Sequence, residues 1–171
     1  MKALSFWRIA ADAPEYSADS LSGKGAELTG ARWNRPGTPL LYCAPSRALA
    51  CLETLVHLTG EVRLPLNRYL VELQIPPRLW QHRTLFNEAL NVGWDAEPAG
   101  LVSLDWGTRW ARSGASLLAE VPSVIVPEER NLLLNPAHRD IKLVASRKIR
   151  RWHYDFRLTS PPEEATPYRR R

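Results

Sequence analysis

Hydrophobic and polar positions along this chain predict short strands combined with a few helices. The run 39–44 is apolar and is bounded by turn-forming residues, which is typical of a buried strand. Leucine and valine recur at helical spacing over 47–58, which predicts a helix that Gly60 is available to end. Over 68–75 apolar and polar residues alternate until two prolines follow, so this segment is predicted to be a second strand.

The second half of the chain adds one helix and several strands to this prediction. A helix is expected over 107–120, and the apolar segments 123–126 and 141–145 indicate buried strands. A last strand is expected where the aromatic and apolar residues of 152–158 share one side. Because the strands outnumber the helices and are not separated by regular crossover helices, we expect an α+β fold with a mixed, mainly antiparallel sheet and flanking helices.

Length and composition suit one compact domain, since the chain has 171 residues, of which 44% are hydrophobic. We place this domain at 1–158 and expect a flexible basic tail over 159–171. The formal net charge is +5, but much of the excess comes from arginines near the C-terminus. The charge is therefore local and gives only weak support for a polyanionic partner.

The N-terminal sequence and the cysteines point to a cytoplasmic protein. The apolar run that follows Lys2 is too short for a signal peptide, and no stretch of the chain approaches the length of a membrane span. Cys43 and Cys51 lie close together without a second pair or nearby histidines, so they form neither a disulfide framework nor a zinc site. We expect a soluble protein with reduced thiols, no metal site and no membrane partner.

Several common catalytic motifs are missing from the chain. The sequence contains no Gly-x-x-x-x-Gly-Lys phosphate loop, no His-Glu-x-x-His zinc motif and no Gly-x-Ser-x-Gly nucleophile motif. The segment 23–25 faintly resembles a dinucleotide-binding loop, but Leu28 occupies the place of the third glycine and no strand precedes it. We therefore expect a flexible loop at 23–25.

The densest group of residues with binding chemistry is the predicted loop 30–37. Its guanidinium at Arg32 suits bidentate binding of a phosphate, and the ring of Trp33 suits packing beside a base. The alternative is a surface arginine over a packed tryptophan, an arrangement that commonly serves stability alone.

Glu53 is the most unusual residue of the predicted helix, because it lies on the flank of the buried stripe. An acid in that place needs a partner or a function. Arg32, Arg8 and His57 are candidate partners in a buried salt bridge, and structural ion pairs of this kind mimic catalytic carboxylates. Tyr42, in the neighbouring strand, is either a functional group or a core aromatic whose hydroxyl finds a hydrogen bond.

Two later segments contain polar groups whose use is open. Ser123 lies within an apolar run, where the backbone usually satisfies a lone hydroxyl. A turn of asparagine and proline explains most of the segment from Asn131 to His138 without any chemistry.

The ordered set of these motifs, from about Trp7 to His138, resembles the RES domain of toxin–antitoxin systems. No single motif is specific, but their order and spacing match over most of the chain. The matching motifs are Phe6-Trp7-Arg8-Ile9, Gly30-x-Arg32-Trp33-Asn34, Leu41-Tyr42, Ala48-x-x-x-x-Glu53, Val121-Pro122-Ser123 and Asn131-x-x-x-Asn135-Pro136-x-His138.

The resemblance implies an ADP-ribosyltransferase-like fold and a toxin that cleaves the nicotinamide–ribose bond of NAD. The outcome would be NAD degradation, by a glycohydrolase or a phosphorylase, or ADP-ribosyl transfer, and the sequence does not choose among these acceptors. An Xre-type antitoxin is implied as the partner that covers the active site, so any contact with nucleic acid would be indirect. The oligomeric state, a homo-oligomer included, stays open.

The resemblance also implies a role for each site residue. Glu53 would hold a ribose hydroxyl and stabilise positive charge, while Arg8 and Arg32 would bind the pyrophosphate or ribose. Tyr42 would stack on nicotinamide, and Ser123 would position ribose or support Glu53. The catalytic set is thus Glu53, Arg32, Tyr42 and Arg8, and the substrate-binding set is Arg8, Arg32, Trp33, Asn34, Tyr42 and Ser123.

Two other function classes compete with this interpretation. A nucleic-acid-acting toxin would use the basic C-terminal stretch, where 152–154 places aromatic residues and a histidine among arginines. A non-catalytic binding module would use Arg8, Arg32 and Glu53 only as a buried polar network.

Overall fold

Seven strands in two sheets and four α-helices form the framework of the computed structural model, which describes residues 2–58 and 64–158. The strands are β1 Leu4–Ala10, β2 Leu41–Cys43, β3 Tyr69–Ile75, β4 Thr84–Leu85, β5 Leu118–Pro122, β6 Arg130–Leu134 and β7 Ala145–Arg151. The helices are α1 Lys24–Thr29, α2 Arg47–Leu55, α3 Pro77–Gln81 and α4 Leu101–Ser113. Short 3-10 turns cover Val56–Leu58, Glu88–Leu90, Arg139–Leu143 and Phe156–Leu158. This is the predicted α+β class.

The two sheets are mainly antiparallel, as the sequence pattern predicts. One has the order β1-β3-β7 and is antiparallel throughout, whereas the other has the order β2-β6-β5-β4 and is parallel only between β4 and β5. The end of β2 is joined to the first sheet where Trp7 and Ala44 each donate a backbone N–H to the carbonyl of the other, at 2.8 Å. This bridge brings β1 and β2 to the same end of the core.

Strand β1 divides its side chains between two parts of the core. Phe6 and Ala10 pack in the cluster that also contains the inward residues of the second sheet, while Trp7 and Ile9 pack against α2. Because residues two apart share a face of a strand, Arg8 lies on the same face as Phe6 and Ala10. The face of β1 that carries Phe6 and Ala10 is therefore apolar except for the cation of Arg8.

Helix α2 confirms the helix predicted over 47–58. It begins after Ser46, whose hydroxyl accepts the N–H of Leu49 at 3.0 Å, and it continues into the 3-10 turn that ends at Leu58. Gly60, which was predicted to end it, lies outside the described residues. The strands predicted over 39–44 and 68–75 are also confirmed, as β2 and β3.

The helix predicted over 107–120 is wrong in both of its bounds. The observed α4 starts at Leu101 and stops before Gly114, which has φ 60°, and the chain then enters β5. Gly107 indicated a helix start, yet it lies in mid-helix because the backbone of Trp33 passes there. A Cβ at position 107 would lie 2.0 Å from the Trp33 carbonyl oxygen.

Three predicted strands are also wrong. Residues 123–126 form a turn in which Ser123 Oγ accepts the N–H groups of Ile125 and Val126, a local pairing that replaces strand hydrogen bonds. The segment 141–145 is largely a 3-10 turn, and the last strand is β7 rather than 152–158. β7 is mostly exposed and rich in arginine, so its hydrophobic pattern carries little strand signal.

Other elements were not predicted at all. β1, β4 and β6 had no strand prediction, and the proposed loop at 23–25 is instead the start of α1, with Gly23 in the left-handed region at φ 67°. The predicted tail 159–171 lies outside the described residues. Among the residues that are described, no helix has the length and apolar character needed to cross a membrane.

Candidate functional site

A cavity of about 880 Å³ opens between β1, β2, α1 and α2. Five of the predicted site residues line it, which brings together side chains from distant parts of the sequence: Arg8, Arg32, Trp33, Tyr42 and Glu53. Asn34 and Ser123 do not line the cavity, and both are fully buried behind its wall. The volume falls within the range of ligand-binding clefts.

Arg8 places a guanidinium in the cavity wall, and no described residue forms an ion pair with it. Its side chain is half-buried, and Nη1 has no solvent exposure and no hydrogen-bond partner among the described residues. Burial lowers the pKa of the Arg8 guanidinium, because water no longer solvates the charge. A guanidinium nitrogen that is buried without a hydrogen-bond partner is unfavourable, so Arg8 favours an anionic ligand.

Arg32 is already engaged at the mouth of the cavity. One guanidinium nitrogen donates to the carbonyls of Trp94 and Ala96, at 3.2 and 2.8 Å, and the other donates to Glu97 Oε2 at 2.6 Å. The Glu97 side chain is 76% exposed, against 18% for Arg32. An anionic ligand at Arg32 would therefore compete with an exposed carboxylate that is easily displaced.

Tyr42 and Asn34 hold the loop that carries Arg32. The Tyr42 hydroxyl donates to Asn34 Oδ1 at 2.6 Å and accepts the N–H of Trp33 at 3.1 Å. The Asn34 amide donates to the carbonyls of Ala26 and Thr38, at 2.8 and 2.9 Å. Burial raises the pKa of Tyr42, so its hydroxyl remains protonated and can make these bonds. Asn34 thus supports the cavity from behind rather than facing it.

Trp33 packs inside an aromatic cluster. The residue is only 3% exposed, and its ring lies near those of Phe86, Trp94 and Trp106, with centroids 4.8, 6.0 and 5.7 Å away. Trp33 is thus a packed residue that also forms part of the cavity lining. It also anchors the segment around Trp94, whose carbonyl Arg32 binds.

The Glu53 carboxylate is held by two neutral donors. Its Oε1 accepts hydrogen bonds from Ser123 Oγ at 2.7 Å and from Asn131 Nδ2 at 2.5 Å. The alternative of a buried salt bridge with Arg8, Arg32 or His57 is not found, since no cation among the described residues forms an ion pair with Glu53. Neutral donors fix the orientation of the carboxylate without cancelling its charge, so it can act on positive charge in a ligand.

Asn131 is the site residue that sequence reasoning missed. It was assigned to a turn segment, but it is the second residue of β6 and lines the cavity beside Glu53. The signal that could have identified it is its position among the ordered motifs that resemble the RES domain. A turn explains most of the segment from Asn131 to His138, but it gives the Asn131 amide no role.

The Cys43 thiol, which also lines the cavity, is a weak candidate for a nucleophile. Burial raises the pKa of the Cys43 thiol to about 12, so near neutral pH it is protonated and a poor nucleophile. The described part of the chain brings no three His, Cys, Asp or Glu side chains together in an arrangement that could hold a metal ion.

The basic strand β7 makes local contacts that do not require a polyanion. Lys148 pairs with Asp12 at 2.8 Å, and Arg147 pairs with Glu72 at 2.9 Å. Arg150 lies over the ring of Trp152, with its guanidinium carbon 4.6 Å from the centroid. These contacts favour a solvated structural face over a nucleic-acid interface.

Comparison with known proteins places the chain among toxins. Residues 5–157 match the RES domain. The Prs ADP-ribosylating toxin of Sphingobium sp. (strain YBL2) is 57% identical over 155 residues, which cover 90% of this chain and 96% of that protein. Toxin Res of Yersinia enterocolitica is 36% identical over 138 residues (77% and 84% of the two chains), and Toxin Res of Photorhabdus laumondii is 36% identical over 126 residues (74% and 79%).

Proposed function

This chain belongs to the RES domain family of toxins, and from that premise we propose that it binds NAD in the cavity and breaks the nicotinamide–ribose bond. The observation that carries the proposal is the pairing in one cavity of a buried, partnerless Arg8 nitrogen with the oriented carboxylate of Glu53. The Arg8 nitrogen suits binding of a pyrophosphate, and the Glu53 carboxylate suits a ribose that becomes positively charged. An ADP-ribosyltransferase-like fold and a cytoplasmic location are part of the same proposal.

The chemistry requires few groups from the protein. The C1′–N bond breaks through an oxocarbenium-like state, as in glycoside cleavage, and its electron pair stays with nicotinamide, which leaves as a neutral molecule. The leaving group therefore needs no general acid. Glu53 stabilises the positive charge on the ribose, Arg8 and Arg32 bind the pyrophosphate, and Tyr42 with Asn34 holds the loop of Arg32 in place.

We propose that the acceptor of the ADP-ribosyl group is a protein, and specifically Prs. The support is the name of the Sphingobium relative, which is described as a Prs ADP-ribosylating toxin. An acceptor side chain would attack C1′ on the face opposite the departing nicotinamide. Water or inorganic phosphate as acceptor would instead give NAD degradation.

The direct test is incubation of the purified protein with NAD, with and without Prs, followed by mass spectrometry of the small molecules and of Prs. Transfer predicts free nicotinamide together with an ADP-ribose adduct on Prs. Free ADP-ribose without an adduct would replace the proposed transfer by hydrolysis, and intact NAD in every reaction would contradict NAD cleavage itself.

Arg32→Ala is expected to raise KM for NAD by about 10-fold or more, with a smaller change in kcat, because a charge-assisted hydrogen bond to a phosphate is lost. Glu97→Gln is the matched control, since it removes the carboxylate that competes for Arg32 but keeps the guanidinium. If Arg32 binds the ligand, KM of Glu97→Gln should stay equal or fall. An unchanged KM for Arg32→Ala would contradict the binding role. A raised KM for both variants would indicate that Arg32 acts by holding the 94–97 segment in place rather than by binding NAD.

We also propose that an Xre-type antitoxin covers this cavity. An inserted segment that ends in a carboxylate could satisfy the same donors of Arg8 and Arg32 that NAD would use. Calorimetric titration with NAD should then show binding to the free toxin and at least about 10-fold weaker binding to the toxin–antitoxin complex. Equal NAD affinity in both would place inhibition at a remote surface.

A further inference from the structure

Asn131 forms part of the cavity wall directly beside Glu53. It lies on β6 opposite Val121 of β5, a position set by the register of two strands in the middle of the second sheet. Asn131 also lines a second, smaller cavity of about 320 Å³, together with Phe6 and Trp80. The half-buried Asn131 thus lines both cavities, and the polar atoms of its amide that are shielded from water need partners.

The orientation of the Asn131 amide is determined by charge. Nδ2 donates to Glu53 Oε1 at 2.5 Å. A reversed amide would place its oxygen against the carboxylate oxygen, which is repulsive, so the N–H group must face Glu53. The Oδ1 atom consequently points elsewhere, and among the described residues it is buried with no hydrogen-bond donor.

Ser123, the other donor to Glu53, has no such unused acceptor atom. Its hydroxyl donates to the same Glu53 oxygen at 2.7 Å, but it also accepts the backbone N–H groups of Ile125 and Val126. Ser123 is fully buried and does not line the cavity, so its hydrogen-bonding capacity is used within the protein. Asn131 is therefore the Glu53 donor that has an acceptor atom left for a ligand.

We infer that Asn131 both positions the Glu53 carboxylate and binds substrate, its Oδ1 accepting a hydrogen bond from a hydroxyl of the nicotinamide ribose of NAD. The inference rests on the proposed function. Because Nδ2 and Oδ1 are bonded to the same carbon, any donor held by Oδ1 lies close to Glu53. Of the donors of NAD, the hydroxyls of this ribose are the groups that Glu53 is proposed to meet.

The positioning role is tested with Asn131→Asp, which has nearly the same shape but replaces the N–H donor by a carboxyl group. At low pH the two adjacent carboxyl groups share a proton, and the protonated one donates to the other much as Nδ2 does. At higher pH both ionise and repel each other. The ratio of kcat/KM in the variant to that in the wild type should therefore be about 0.01 at pH 8 and rise about 10-fold or more by pH 5.5.

Other ionisable groups do not disturb this comparison. The charged groups near Asn131 are the same in both proteins, so effects common to both cancel in the ratio. They are Arg8, Lys24, Arg32, His57 and Glu97 in the same cavity and Glu120 and Arg130 in the smaller one. Asn91→Asp makes the same chemical change outside the cavity lining, and its ratio should stay near that of the wild type at every pH. A ratio for Asn131→Asp that does not vary with pH would overturn the positioning role.

The binding role is tested by coupling between Asn131 and the ribose hydroxyls. The kcat/KM values for NAD and for its 2′-deoxy and 3′-deoxy forms on the nicotinamide ribose are measured with the wild type and with Asn131→Ala. Loss of the hydroxyl that Oδ1 binds should have an effect at least about 10-fold larger in the wild type than in the variant. Equal effects in both proteins for both hydroxyls would overturn the binding role.

Failure of the inference and failure of the proposed function give different results. A wild type that releases no nicotinamide from NAD contradicts the function. The contact with Glu53 is still measurable in that case, because the melting temperature of Asn131→Asp should fall relative to the wild type as pH rises from 5.5 to 8. A constant difference in melting temperature would contradict the contact itself.

Discussion

Glu53→Gln is expected to lower the rate of nicotinamide release from NAD by about 100-fold or more, with little change in stability. Glutamine has the same shape, and its carbonyl oxygen can accept the same hydrogen bonds from Ser123 and Asn131. Only the negative charge is removed, and that charge is what stabilises a positively charged ribose. The loss should therefore appear in kcat rather than in KM.

The measurement pairs steady-state kinetics with calorimetric unfolding of the same samples. Glu128→Gln makes the same chemical change on an exposed turn outside the cavity lining and should retain wild-type kinetics. Wild-type turnover by Glu53→Gln would remove Glu53 from the chemistry. A large loss of stability instead would support the alternative of a binding module, in which Glu53 is part of a structural polar network.

Gly107→Ala should have the largest effect on stability, a decrease of about 3 kcal/mol or more in the free energy of unfolding. The new Cβ would lie 2.0 Å from the carbonyl oxygen of Trp33 and 3.0 Å from its Cβ. Backbone atoms cannot move aside by changing rotamer, so α4 and the loop before Arg35 must separate. The intrinsic preference of alanine for helices, worth about 1 kcal/mol, is too small to compensate.

Gly100→Ala is the matched control at the start of the same helix. There the nearest atom to a new Cβ is Ala96 Cβ at 3.4 Å, an ordinary contact, so the free energy of unfolding should change by less than about 1 kcal/mol. Chemical denaturation of both variants checks the contrast. Because Trp33 is next to Arg32, Gly107→Ala should also weaken NAD binding. A Gly107→Ala variant as stable as the wild type would show that α4 and the backbone of Trp33 are not in close contact.

The elements that local pattern predicted well are those whose packing follows their own period. Over 47–58 the apolar residues recur every three to four positions, and α2 with its 3-10 turn forms there. Over 68–75 the chain is a central strand, paired on both sides by β1 and β7. In these segments the local preference and the tertiary environment agree.

The elements that were misplaced depend on partners distant in sequence. Gly107 is a poor helix residue by propensity, but it lies in mid-helix because only glycine allows the close approach of Trp33. β7 has little hydrophobic pattern and forms because β3 supplies its hydrogen bonds. β4 has only two residues and pairs with β5, so no local pattern could indicate it.

The sequence by itself determined the α+β class, the positions of α2, β2 and β3, and the ordered motifs that resemble the RES domain. It also placed Glu53 on the flank of its helix. Only the tertiary structure decided what each site residue contacts: Arg32 binds Glu97 and the 94–97 backbone, Glu53 has neutral donors rather than a cation, and Arg8 Nη1 has no partner among the described residues. The physical reason is that hydrophobic periodicity specifies only which face of an element is buried. A hydrogen bond requires two atoms within about 3 Å of each other, and that distance is set by strand register and helix packing across the whole chain.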